Sequence, residues 1–205
     1  CLTRCWQQVD DIRTHMLHFL ENHDEQRLAS DFFAGDARRG RAPLLVSALM
    51  DYCPMMIYFG QELGERGMDA EGYSGRDGRT TIYDYWTVDT VSRWRNGGKF
   101  NDKKLTGDEK RLREFYARVL ALRESMPVLR SGHFYDLMYV NRHLHRQYVF
   151  VRQLEKQVLL VIANFDDQEA NLSIHLPEEF FRFIGQKGQT EVRALDLLSE
   201  EETQV

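Results

Sequence analysis

Two short apolar runs, residues 17–20 and 54–59, restrict what this chain of 205 residues can become more than any other feature. Each is too short for a helix and reads as a strand buried on both faces. Ahead of the first, Leu2, Cys5, Trp6, Val9, Ile12 and Met16 recur at helical spacing. Between the two, Leu44, Leu45, Ala48, Leu49 and Tyr52 form the apolar face of a helix that begins near Pro43, a residue suited to a first helical position. Helix, strand, helix, strand predicts a parallel sheet or barrel with the helices outside.

The first strand runs into Glu21-Asn22-His23-Asp24-Glu25-Gln26-Arg27, a cluster of carboxylate, amide, imidazole and guanidinium heads. Such a strand end is either the rim of an active site or a charged surface loop, and these residues alone leave both open. Residues 63–105 are a long excursion rich in Gly, Asp, Arg and aromatics, and loops of this length are functional or disordered. Thr106 and Glu109 have the spacing of a capping box, and Leu112, Phe115, Tyr116, Val119, Leu120 and Leu122 continue it as a helical stripe that Pro127 ends.

From about Gly132 the period changes to two. Residues 134–140, 147–153, 158–164, 171–175 and 192–197 read as five strands, with turns at 154–157 and at Asp166-Asp167. Five strands with no helix between them predict a small antiparallel β-sandwich, with the boundary to the first part near Ser131-Gly132. His143 and His145 are two apart near a turn and read as exposed hairpin residues rather than metal ligands, and residues 199–205 as a frayed acidic tail.

A net charge of −5 leaves no basic footprint for nucleic acid, and no apolar run approaches the length needed to span a bilayer. Three cysteines, Cys1, Cys5 and Cys53, make no disulfide framework. Cys1 and Cys5 read as two buried thiols on a helix face, and no metal site is predicted. The chain opens without Met inside an amphipathic pattern and reads as a piece of a longer protein, so its start carries no targeting information.

Phe19-x-x-Asn22-His23-Asp24 resembles the last signature motif of the α-amylase family of glycoside hydrolases, which in that family ends the seventh strand of a (β/α)8 barrel. Pro54, Tyr58, Gly60 and Glu62 fit the family's eighth-strand pattern, and residues 76–86 are similar to a Gly-Arg-Thr-x-Ile-x-Asp-Tyr-Trp segment in the loop after it. The resemblance implies the C-terminal part of a TIM barrel over residues 1–131 and a β-sandwich domain over residues 132–205. It also implies a role for each residue of the motif. Asp24 would be the carboxylate that stabilises the transition state, and His23 would hydrogen-bond hydroxyls of the same sugar. Asn22 would brace the turn. Arg27 would bind substrate or orient a carboxylate, unless it forms a surface ion pair. Tyr85 and Trp86 would offer faces to sugar rings, unless they form a small core that pins their loop.

Glycoside hydrolysis needs two further carboxyl groups, a nucleophile and a general acid. The family carries them on its fourth and fifth strands, for which this sequence has no counterpart. Gly75-Arg76-Asp77 has the wrong spacing, and Glu21 and Glu25 cannot substitute for absent strands. The expectation is therefore the C-terminal portion of a retaining enzyme acting on an α-glucan or maltooligosaccharide, inactive by itself. No cofactor is expected in these residues; calcium, where the parent binds it, would lie outside them. The unpaired strand edges predict self-association of the isolated piece. The alternative is a non-catalytic sugar-binding or regulatory relative. Metal-dependent phosphoesterases also carry Asn-His-Asp, but they need a preceding Gly and an upstream Asp-x-His, and both are missing.

Overall fold

The computed structural model describes residues 2–69, 76–83, 87–186 and 193–204. The chain divides into two compact units, residues 1–120 and 121–205, and the division falls inside one helix.

In the first unit α1 (Leu2–Gln8) leads through a 3-10 turn (Arg13–His15) into β1 (His18–Phe19). A second 3-10 turn (Ala37–Gly40) opens α2 (Arg41–Leu49), and β2 (Met55–Met56) follows. β1 and β2 pair in parallel, His18 with Met55 and Phe19 with Met56, so the predicted strand–helix–strand order is present. α2 buries Leu44, Val46, Ala48 and Leu49, and its Ser47 carbonyl lies 3.0 Å from Nδ1 of His18. Among the described residues there is this one parallel pair and no closed barrel.

The expected burial of these strands is not met. Leu17, Phe19 and Phe59 are exposed, as are Ile12 and Met16, and α1 has no buried residue. The reason is pairing: a parallel strand covered on both faces needs neighbours along both edges, and β1 and β2 each have one among the described residues. Cys5, expected in a core, is exposed, while Cys53 is buried with its thiol on the Arg13 carbonyl. Cys1 lies outside the described residues.

The described residues of the long excursion include a 3-10 turn (Gln61–Leu63) and α3 (Asp89–Arg95). α4 (Gly107–Ser125) carries Leu112, Tyr116 and Val119 into the interior of the unit. Its capping box forms as predicted. Thr106 N donates to Glu109 Oε2 at 2.8 Å, and Glu109 N to Thr106 Oγ1 at 3.3 Å. Burial works against the Glu109 carboxylate, but hydrogen bonds from Arg93 and Thr106 outweigh it and hold its pKa below the ordinary value. Thr106→Ala removes one arm of the box and is expected to cost about 1 kcal/mol. A melting temperature lowered by about 4 °C would record it; an unchanged one would mean that Arg93 and Glu109 secure the helix start without the hydroxyl.

The second unit contains a three-stranded antiparallel sheet, β3 (His133–Asp136), β4 (Gln147–Leu154) and β5 (Gln157–Asn164), in that order. Glu155 and Lys156 form the two-residue turn between β4 and β5, with Glu155 at φ +53°. The short α5 (Pro127–Ser131) precedes the sheet and packs on β4. Val149 and Val151 project from one face of β4 into a core with Leu137, Leu144 and Phe180, the last from α6 (Glu178–Phe183). Phe150, on the other face, meets Phe134 at 5.4 Å between ring centres. Among the described residues the unit thus holds this small sheet with a helix against it and a separate two-stranded sheet within residues 193–204, in place of the predicted five-stranded sandwich.

The fourth predicted strand shows why. Leu172, Ile174 and Leu176 do alternate inward onto the core, as period two requires. The backbone of this stretch is held by side chains instead of a ladder. Asn141, wholly buried, accepts from His175 N at 2.7 Å and donates to the His175 carbonyl at 3.0 Å. His143, exposed as expected, lies with Nε2 2.9 Å from the Ser173 carbonyl. The last expected strand is present as β6 (Arg193–Leu195), and it pairs antiparallel with β7 (Glu202–Gln204), so part of the tail expected to fray is a strand.

Candidate active site

β1 ends at Phe19, and two residues later the chain turns inward at Glu21 and outward at His23 and Asp24. Asn22 makes the turn. Its Oδ1 accepts from Asp24 N at 2.8 Å and from Glu25 N at 2.9 Å, the two donors the reversal leaves unpaired. This is the bracing role expected for it. His23 and Asp24 stand together in solvent, with Nε2 3.5 Å from Oδ2 and the Asp24 side chain 70% exposed. A carboxylate and an imidazole side by side at the end of a parallel strand, each with hydrogen-bonding capacity to spare, are suited to the hydroxyls of a polyol.

Arg27, expected to bind substrate, to orient a carboxylate or to pair at the surface, is 0% exposed and lies against a carboxylate. Its Nε lies 3.1 Å from Glu21 Oε2, its Nη2 donates to the Phe59 carbonyl at 2.8 Å, and its guanidinium lies over the Tyr58 ring at 4.7 Å. Nη1 has no hydrogen-bond partner among the described residues, which leaves the ring face as its compensation. Arg27 therefore joins the end of β2 to the turn after β1, and offers no head to a ligand.

Glu21, set aside in the sequence, is the other half of this device. It is 2% exposed, and its Oε1 accepts from Leu28 N at 2.6 Å, closing the loop that carries His23 and Asp24. Burial raises its pKa, with the Arg27 charge and the Leu28 hydrogen bond opposing. Below it Gln61 donates to Tyr116 Oη at 3.0 Å, and burial pushes that phenol up to about 12. Opposite charges bracketing a turn, at 21 and 27, are the signal in the sequence that marks this pair. Nothing short of the fold shows that both are inside.

Tyr85 and Trp86, the predicted sugar platforms, lie outside the described residues. Two neighbouring carboxylates are engaged elsewhere: Glu21 is turned onto Arg27 and Leu28, and Asp77 is held 3.2 Å from Nη1 of Arg79. A cavity of about 490 Å³ elsewhere in the unit is lined by Asp36, Arg38, Glu65, Arg93, Glu109 and Leu112. Several of its polar groups are engaged within the protein: Asp36 with Arg38, Glu109 with Arg93, and Glu65 with Thr90 and two backbone amides. It does not contain the His23–Asp24 pair.

Solved structures share this arrangement of elements. A noncanonical maltogenic α-amylase, AmyB, from Thermotoga neapolitana matches 99% of this chain over 40% of its own, with a TM-score of 0.60 and 12% identity. The fold of this chain is similar to that of a portion of this α-amylase. The isomaltulose synthase PalI from Klebsiella sp. LX3 matches with a TM-score of 0.52 and 20% identity, over 81% of this chain and 38% of its own. A mutant of MutB solved in complex with glucose matches with a TM-score of 0.53 and 19% identity, over 80% of this chain and 37% of its own. The likeness to these structures is one of fold, and the chain spans only 37% to 40% of their length. No family model matches the sequence, and no curated protein matches it either.

Proposed function

We propose that this chain is the C-terminal portion of a retaining glycoside hydrolase acting on α-glucans or maltooligosaccharides. Residues 1–131 supply the last part of a (β/α)8 barrel, and residues 132–205 a β domain that follows it. The observation that carries this reading is the solvent-facing His23–Asp24 pair at the end of β1, set by Asn22 and lying in the same unit as its parallel partner β2. Asp24 acts as the fixed negative charge that favours the oxocarbenium-like transition state, and His23 holds a hydroxyl of the same sugar. Tyr85 and Trp86 stack on further sugar rings. The nucleophile and the general acid belong to strands for which this chain holds no counterpart.

The test is turnover of a maltooligosaccharide, with the anomeric form of the product read by NMR. The whole protein is expected to release the α-anomer, and the 205 residues alone to release none. A whole protein that leaves α-linked glucans intact but binds them would favour the non-catalytic sugar-binding reading and sink this one.

A further inference from the structure

We propose that Arg79 is a positioning residue for Asp24, and that residues 76–83 are a strap holding the active-site loop. The proposal rests on the reading of Asp24 given above. The strap lies against the loop through its backbone. Arg27 N donates to the Gly78 carbonyl at 2.6 Å, and Tyr58 Oη to the Thr80 carbonyl at 3.1 Å. Glycines allow the approach. Gly78 has φ +82°, and a Cβ there would stand 2.9 Å from Ser30 Oγ; a Cβ on Gly67 would stand 2.8 Å from the Gly78 carbonyl carbon and oxygen.

Arg79 makes the contact that bears on chemistry. Its Nε donates to the backbone carbonyl of Asp24 at 2.6 Å, across 55 residues of sequence. Its other end is fixed on Asp77, with Nη1 3.2 Å from Oδ2, while Asp77 Oδ1 accepts from Arg79 N at 3.1 Å. A guanidinium held at both ends is a rigid fork. Asp24 is then secured on both sides of its α-carbon: its amide by Asn22, its carbonyl by Arg79. Only the carboxylate remains free to act. An electrostatic group works in proportion to how well it is placed before the reaction, and a shift of about 1 Å can cost about 10²-fold.

In the whole enzyme Arg79→Ala is expected to lower kcat by about 10-fold while KM stays within about two-fold, since the interaction matters in the transition state. Arg79→Lys, which keeps a donor within reach of the Asp24 carbonyl, should restore most of the loss. In an Asp24→Asn background Arg79→Ala should cost almost nothing further, because the group it positions is gone. A kcat for Arg79→Ala within two-fold of wild type, or the same fold-loss in the Asp24→Asn background, would overturn the proposal. Amide exchange on the 205-residue chain decides the strap independently of any activity. Arg79→Ala should speed exchange at Asp24, Glu25 and Arg27 by about 10-fold and leave the β4 and β5 amides unchanged, and unaltered exchange in the loop would overturn it. A whole protein without glucan activity removes the Asp24 reading and leaves this second measurement standing.

Discussion

Asp24→Asn is expected to lower turnover of the whole enzyme by roughly 10²–10³, the usual loss for one preorganised electrostatic group. The fold should not notice. The side chain is exposed, and the bonds that shape the loop are made by its backbone and by Asn22 Oδ1. Asn has the same outline and keeps hydrogen-bonding capacity toward a sugar hydroxyl, but it has no charge with which to favour a positive transition state. The loss should therefore fall on kcat, with the melting temperature within about 1 °C of wild type. Near-normal hydrolysis of a maltooligosaccharide by this variant would remove Asp24 from the mechanism.

The second large effect is on stability. Arg27→Met is expected to destabilise the first unit by about 3–5 kcal/mol, because it strands a buried carboxylate. Glu21 would keep only its bond from Leu28 N inside the protein. In the wild type burial already raises the Glu21 pKa above its ordinary value of 4.5, against the opposing charge of Arg27. The folded state then holds the Glu21 proton more tightly than the unfolded chain does. That contribution is fully present below pH 4.5 and is lost as pH rises through the folded-state pKa. Without Arg27 the folded-state value moves higher, so the variant should lose stability over a longer climb in pH. Urea melts from about pH 4 to about pH 8 would show it, and Glu21→Gln placed on top should flatten the dependence and recover part of the loss. An Arg27→Met protein as stable as wild type at neutral pH would mean that Glu21 reaches solvent without its partner.

Much of the local structure was legible in the residues. Alternation over residues 147–153 and 158–164 with a turn at 154–157 foretold the β4–β5 hairpin, and Thr106 with Glu109 marked the start of α4. The order of apolar runs foretold the parallel pairing of β1 with β2, and Asn22, His23 and Asp24 came out as a turn and an exposed pair. These features depend on neighbours within a few positions, through a capping hydroxyl, a helical stripe or a pleat, and such neighbours are written next to one another.

What failed depends on partners far along the chain. Residues 171–175 have the alternation of a strand, but Asn141 and His143 take up their backbone groups, and no pattern within the stretch announces that. The polar heads after β1 look alike in sequence. Asp24 stays in water while Arg27 goes fully inside, because the Tyr58 ring, the Phe59 carbonyl and Glu21 are there to receive it. Arg79 reads as a loop residue until the fold lays its guanidinium on the carbonyl of Asp24. The sequence by itself determined the elements whose partners are close along the chain: α2, α4 with its capping box, the β4–β5 hairpin and the turn at Asn22. Only the tertiary structure decided which charges are buried and what holds Asp24 in place, because a guanidinium or a carboxylate goes inside only where distant residues compensate its lost hydration.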